Sequence, residues 1–233
     1  PSVHIPSQQA RELKSLCGMR DGLVQARTQL VNTIRGWLRG QGKTPITRGG
    51  VEFLPARVRG AFSAAIPSFV ERQLRAIEAL TKEIDEADRD LLVLTKKDPI
   101  TPRLMSVPGV GPVTAARFTS SLDTLARFDG PHAVQSFIGL TPGENSSSDK
   151  KQRTGITKAG PSALRWALVQ AAWVARRHRP DDPMVRWCLE VEKRRGKNVA
   201  VVALARKMSG ILYAIWRDGS TYDPVLGARA VGA

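Results

Sequence analysis

Apolar positions in the first forty residues recur at helical spacing. Leu16, Leu23, Leu30 and Trp37 repeat every seven residues, with Leu13 and Ile34 on the adjoining seam. The pattern predicts a helix from Ser7 to about Gly40. Ser7 is a suitable N-cap, Pro6 blocks extension backward, and Gly40 and Gly42 supply the stop. A second stripe, Val70, Ile77, Leu80, Ile84, Ala87, Leu91 and Leu94, predicts a helix from Ser68 to about Lys97. Between them, residues 43–67 read as an irregular connection holding a short helical piece around Ala56–Ala65, punctuated by Pro45, Pro55, Pro67 and Gly49-Gly50. Two long helices with heptad stripes predict either an antiparallel hairpin or an intermolecular coiled coil.

Asp98-Pro99 breaks the second stripe and places a domain boundary near residue 98. Shorter helices are predicted beyond it, at about 103–107, 112–121, 130–138, 161–178, 183–195 and 197–217. No period-two run marks a strand, so the fold class is all-α. The organisation reads as a helical segment over 1–98, a compact helical domain over 99–224, and a small-residue, flexible tail over 225–233.

Charge narrows the partners. The 36 Lys and Arg against 21 Asp and Glu leave a net charge of +15, which points to a polyanion. Arg11, Lys14, Arg20, Arg27, Arg35 and Arg39 stud the first helix against only Glu12 and Asp21, an excess that internal salt bridges do not absorb. Two distant cysteines, Cys17 and Cys188, make no disulfide framework and suit a reducing compartment. Three histidines offer no zinc-ligand spacing, no metal site is expected in this chain, and no apolar run reaches the length of a membrane span.

Two stretches carry candidate chemistry. The first, Ser106-Val-Pro-Gly-Val-Gly-Pro-Val-Thr-Ala-Ala116, has the form of a helix-hairpin-helix turn. Gly109 and Gly111 permit positive φ and a bare backbone, Val110 tucks between the helices, and Pro112 suits the next helix's first turn. Free amides at that helix start, with Thr114 behind them, would receive a DNA phosphate without reading sequence. The alternative is a tight corner that only packs.

The second stretch is a polar loop from Gly139 to Gly160. It holds Ser146, Ser147 and Ser148, with Lys150, Lys151, Arg153, Lys158 and, just beyond, Arg165 forming an electropositive rim, and Thr157 as a further candidate contact to nucleic acid. By itself such a loop reads as a linker, since a serine hydroxyl needs activation and no base is evident beside it.

These stretches together carry a resemblance. Val107-Pro-Gly-Val-Gly-Pro, then Phe137-Ile-Gly-Leu-Thr-Pro, then the three serines, then Gly155-Ile-Thr-Lys-Ala-Gly and Leu164-Arg165 resemble the C-terminal half of DEDD-type insertion-sequence transposases, which include the bridge-RNA-guided recombinases. Val3-His-Ile-Pro-Ser and Leu30-Val-Asn-Thr-Ile-Arg-Gly36 resemble the segment that follows that family's catalytic domain. The resemblance implies a serine that attacks the DNA backbone and forms a phosphoserine link during strand exchange. The family's usual string is Ser-Ser-Gly after Leu-x-Pro with the second serine as nucleophile, which here is Ser147. Ser148 stands where glycine is usual, so Ser146 and Ser148 remain weaker candidates.

The resemblance further implies an RNase-H-like domain whose three Asp and one Glu hold magnesium. None of the carboxylates here carries over to that tetrad. The expectation is therefore a C-terminal portion that binds DNA and a guide RNA through its arginine-rich first helix and has no cofactor of its own. It would pair into a dimer or tetramer through its coiled coil, act in the prokaryotic cytoplasm at the nucleoid without a membrane, and be inactive alone. The alternatives are a non-enzymatic helix-hairpin-helix module, which explains the charge and the turn but not the serine motifs, and a protein scaffold built on the long helices.

Overall fold

Five of the described helices carry a proline in their first turn, where the missing N–H has no helical partner to lose. The computed structural model describes residues 4–43, 49–62, 66–144 and 153–225. Its described helices are α1 (Gln8–Gly40), α2 (Leu54–Ala61), α3 (Ser68–Lys97), α4 (Thr101–Leu104), α5 (Pro112–Leu122), α6 (Pro131–Ile138), α7 (Ser162–His178), α8 (Pro183–Arg195) and α9 (Lys197–Asp218). Among the described residues the fold is all-α apart from a 3-10 turn at Leu125–Arg127 and two short strands, β1 (Pro142–Glu144) and β2 (Arg153–Ile156). These strands lie inside the stretch read as an irregular loop, and period-two hydrophobicity did not signal them. Pro142 and Gly143 are poor strand formers, and the pairing is held by flanking backbone contacts. In α2, Pro55 starts the helix rather than breaking the chain, so the helix begins two residues before the expected Ala56.

Internal contacts divide the chain into two units, Ser15–Leu91 and Pro1–Lys14 with Leu92–Ala233. In the first, α1 and α3 form an antiparallel hairpin. Arg20 pairs with Asp88 and Arg27 donates to Thr81 Oγ1 at 3.3 Å, so seven residues forward on one helix match seven back on the other. Val31, Ile34 and Leu38 of α1 meet Val70, Leu74 and Ile77 of α3, closed off by Leu54 and Val58 of α2. The buried stripe of α3 holds Val70, Ile77, Ile84 and Leu91 of the expected series. That of α1 is rotated by one position. Cys17, Val31, Ile34 and Leu38 are buried, while Leu16, Leu23, Leu30 and Trp37 are half-buried. The polar Arg20 and Arg27 interrupt the inward row, so the unbroken leucine row beside it gave the stronger pattern.

Leu74 is wholly buried between these helices. Leu74→Ala is expected to lower stability by about 2–5 kcal/mol, as a core leucine truncation does. Chemical denaturation checks this.

In the second unit α9 is the central helix and packs against α6, α7 and α8. Ala200, Val201, Leu204, Met208 and Leu212 of α9 share one core with Phe118, Leu122, Val134, Ile138, Leu164, Leu168, Met184 and Cys188. By length and composition α9 could cross a membrane, but half of its apolar stretch is buried in this core, which accounts for its hydrophobicity. Neither cysteine forms a disulfide, and burial pushes the Cys188 thiol up to about 11, so it stays protonated.

The start of α1 is tied to the end of α5. Ser7 caps α1, its Oγ accepting from the Ala10 amide at 3.1 Å. The same hydroxyl donates to Asp123 Oδ1 at 2.6 Å, the Ser7 amide donates to Oδ2 at 3.0 Å, and His4 Nε2 lies 2.8 Å from Oδ2. The Ser7 hydroxyl, more than the Ser7 amide and His4, holds the Asp123 carboxyl below its ordinary range against the cost of burial. A depressed folded-state value means the contribution is complete above about pH 4, the unfolded value, and is lost as pH falls further. Asp123→Asn, which tolerates the positive φ of 63° here, is expected to be less stable than the parent at pH 7, with the difference shrinking as pH falls below about 4. Unfolding midpoints across that range read the difference.

Candidate nucleic-acid interface

The first candidate element is the turn between α4 and α5. Leu104, Val107 and Val110 are buried, so the side chains of the turn anchor it. Gly109 adopts φ 84°, and a Cβ there would collide with the Ala171 carbonyl and lie 2.8 Å from the Ala175 amide of α7. The glycine is thus required by both conformation and close packing. Gly111 differs from the expectation of positive φ. It is extended, with φ −100° and ψ −179°, and nothing lies within 4 Å of the position of its absent Cβ. It sits at the N-cap of α5 with open space before it. No side chain caps α5 and its first turn holds no acid. Thr114 is buried, so it supports the turn from behind.

The second element frames the serine segment. β1 and β2 pair antiparallel, Pro142 opposite Ile156 and Glu144 opposite Arg153, with an irregularity between these pairs. Below the strands the Thr157 amide donates to the Thr141 carbonyl at 2.9 Å and the Lys158 amide to the Gly139 carbonyl at 3.1 Å. Gly139 and Gly160, both at positive φ, bring the backbone of 137–139 against that of 158–160. A Cβ on Gly139 would strike Ala159, and one on Gly160 would strike the Phe137 carbonyl. From α7, Arg165 Nη1 donates to the Ile138 carbonyl at 2.9 Å and the Ala159 carbonyl at 2.8 Å, clamping the two segments together. Thr157 and Lys158 are exposed. Ser146, Ser147, Ser148, Lys150 and Lys151 lie outside the described residues, as does the side chain of Arg153.

Arg20, Arg27 and Arg35 of α1, candidates for contact with nucleic acid, have separate surroundings. Arg20 makes two hydrogen bonds to the Asp88 carboxylate, one of them 3.1 Å. Arg27 reaches Thr81, and Arg35 is half-buried, its Nε without a hydrogen-bond partner among the described residues. Periodicity alone did not show that Arg20 and Arg27 belong to the helix-helix seam. Sequence reasoning also passed over Trp166, 57% exposed one turn into α7, and over the cations at the α8–α9 corner. The signal for the corner was present as Lys193-Arg-Arg-Gly-Lys197.

Among the described residues no three His, Cys, Asp or Glu side chains gather as a metal site. Of the carboxylates on α3, Asp88 is occupied by Arg20, and Asp85 is exposed. These residues do not fit the magnesium of a nuclease centre, and no metal-dependent step is assigned to them.

A hairpin with clamped feet and a helix-turn-helix corner, both packed on α7 in a strongly basic chain, are a setting for phosphate chemistry or phosphate binding. Residues 101–184, which contain both elements, match the transposase family IS116/IS110/IS902. The chain is 33% identical over 221 residues to the transposase for insertion sequence element IS1111A of Coxiella burnetii, covering 91% of this chain and 60% of that protein. It is 24% identical over 232 residues to the transposase for insertion sequence element IS1328 of Yersinia enterocolitica, covering 96% of this chain and 69% of that protein. A third relative, the insertion element IS110 43.6 kDa protein of Streptomyces coelicolor, is 28% identical over 172 residues, covering 70% of this chain and 39% of that protein. The chain is thus related to transposases of the IS110/IS116 family, and spans about 60% of the first relative's length.

Gly109→Ala forces a side chain into the α7 backbone at a positive φ. It is expected to destabilise by more than about 1 kcal/mol. Gly111→Ala, in open extended backbone, is expected to leave stability nearly unchanged. Paired thermal melts of the two variants check the contrast.

Proposed function

We propose that this chain is the DNA-binding and strand-transfer portion of an insertion-sequence transposase, with Ser147 as nucleophile and an RNA guide setting the target. The observation that carries the reading is the frame around the serine segment. Glycine contacts, two backbone hydrogen bonds and the Arg165 clamp fix both of its ends, within the stretch that matches the transposase family. A linker needs no such frame. A nucleophile does, because positioning the attacking oxygen is a large part of catalysis.

In the proposed step Ser147 Oγ attacks a backbone phosphorus. A P–Oγ bond forms, one P–O bond to the sugar breaks, the serine proton is released, and the departing sugar oxygen takes a proton to become a hydroxyl. Reversal by a second strand's hydroxyl completes exchange, and the phosphodiester count is unchanged. Lys150, Lys151, Arg153 and Lys158 supply positive charge for the phosphate. Arg165 acts from behind, as the strut of the loop. The bare turn at Val110–Gly111, before the uncapped start of α5, holds a neighbouring phosphate.

Pairing of copies belongs to the same proposal. The inward seam of α1 is filled by α3 of its own chain, and Leu30 and Trp37 pack against that core, so the half-buried Leu16 and Leu23, seven residues apart, are what this row of α1 offers to a second copy. The site of action is prokaryotic nucleoid DNA.

The test is capture of a covalent adduct on end-labelled DNA, with the chain expressed together with any coding sequence its gene places before Pro1. Ser147→Ala is expected to reduce strand transfer by about 10³-fold or more, as loss of a nucleophile does, with DNA affinity within about twofold of the parent. Peptide mapping of the adduct to Ser146 or Ser148 would move the assignment by one residue. Full transfer by all three alanine variants would overturn it and leave a non-enzymatic binding module.

A further inference from the structure

The corner between α8 and α9 carries charge that the fold does not use. Lys193, Arg194, Arg195 and Lys197 fall within five consecutive residues, all exposed, around Gly196 at φ 81°. Nearby acids are few and already engaged. Glu192 accepts from Arg176 at 2.7 and 2.8 Å, which holds the Glu192 carboxyl below its ordinary range. Glu190 lies 2.7 Å from Lys193, but the two side chains are 63% and 70% exposed, so their pairing is weak in water. Arg194, Arg195 and Lys197 make no ion pair with a carboxylate among the described residues. Lys197 also stands in the first turn of α9, where the helix's own positive end favours an acid. These cations therefore do little for stability.

One of them is held in place. Lys197 Nζ lies 5.1 Å from the centre of the Trp173 ring, and the Arg176 guanidinium lies 5.9 Å from the same centre. A ring so occupied is not a platform for unstacked bases, the usual device for single strands. What the corner offers is a cluster of exposed positive charge.

We propose that the α8–α9 corner is a binding surface for the phosphate backbone of duplex DNA, additional to the α4–α5 turn and the serine segment. Arg194, Arg195 and Lys197 contact phosphates, and Trp173 positions Lys197. The corner lies beyond the stretch 101–184 that matches the transposase family. The inference rests on the reading of this chain as DNA-binding and not on its serine.

The experiment is titration of the chain with a random-sequence 20-base-pair duplex over a range of salt. Each neutralised phosphate contributes about 0.9 to the slope of log affinity against log salt. Arg194→Gln, Arg195→Gln and Lys197→Gln together are expected to flatten the slope by about 2–3 units and weaken binding at least about tenfold near 100 mM salt. Arg195→Gln alone is expected to remove about one unit. A control triple on the exposed face of α3, Arg72→Gln, Lys82→Gln and Arg89→Gln, removes the same charge and should leave the slope unchanged. An unchanged slope in the corner triple, or an equal loss in the control, overturns the surface. A larger loss on a single-stranded RNA of equal length than on the duplex overturns its assignment to duplex DNA. A parent chain with no duplex affinity overturns both this surface and the proposed function.

Discussion

Main chain lying directly on main chain is the constraint around which the larger unit is arranged. Gly109 sets the α4–α5 turn onto the backbone of α7, and Gly139 with Gly160 sets the two feet of the β-hairpin against each other. Each contact removes the space a Cβ would need. The turn and the hairpin are both referred to α7, the first through Ala171 and Ala175, the second through Arg165. Contacts between backbones are short and stiff, so they fix position more tightly than side-chain packing does. The two strands that flank the serine segment spring from this frame.

Arginine in this protein has two occupations that a count of charge cannot separate. Arg20, Arg165 and Arg176 are spent on internal acceptors: a carboxylate across the helix hairpin, two backbone carbonyls, and Glu192. Their planar forks suit such bridging roles. Arg194 and Arg195 are exposed without such partners. The net charge of +15 predicts a polyanionic partner, but which cations face it depends on what each side chain meets in the folded chain.

The comparisons and the geometry bear on different links of the functional reading. Kinship with insertion-sequence transposases covers the stretch that holds the turn and the hairpin. The geometry adds that glycines and an arginine of that stretch act as structural struts. The charged corner outside the stretch is a local property of this chain, and its meaning rests on electrostatics alone.

The sequence by itself determined the all-α class, the two long helices, the Ser7 cap, the proline that starts α5, and much of the stripe of α3. All of these follow from local periodicity and local hydrogen bonding, which a short window contains. Tertiary structure decided which row of α1 turned inward. A leucine row and a mixed Cys-Arg-Val-Ile row compete at similar spacing, and only the partner's Asp88 and Thr81 make the arginines welcome inside. It also decided that 142–144 and 153–156 pair as strands, because their register is set by Gly139, Gly160 and Arg165 from elsewhere in the chain. Contacts between residues distant in sequence leave no periodic trace, and the candidate site is built chiefly from such contacts.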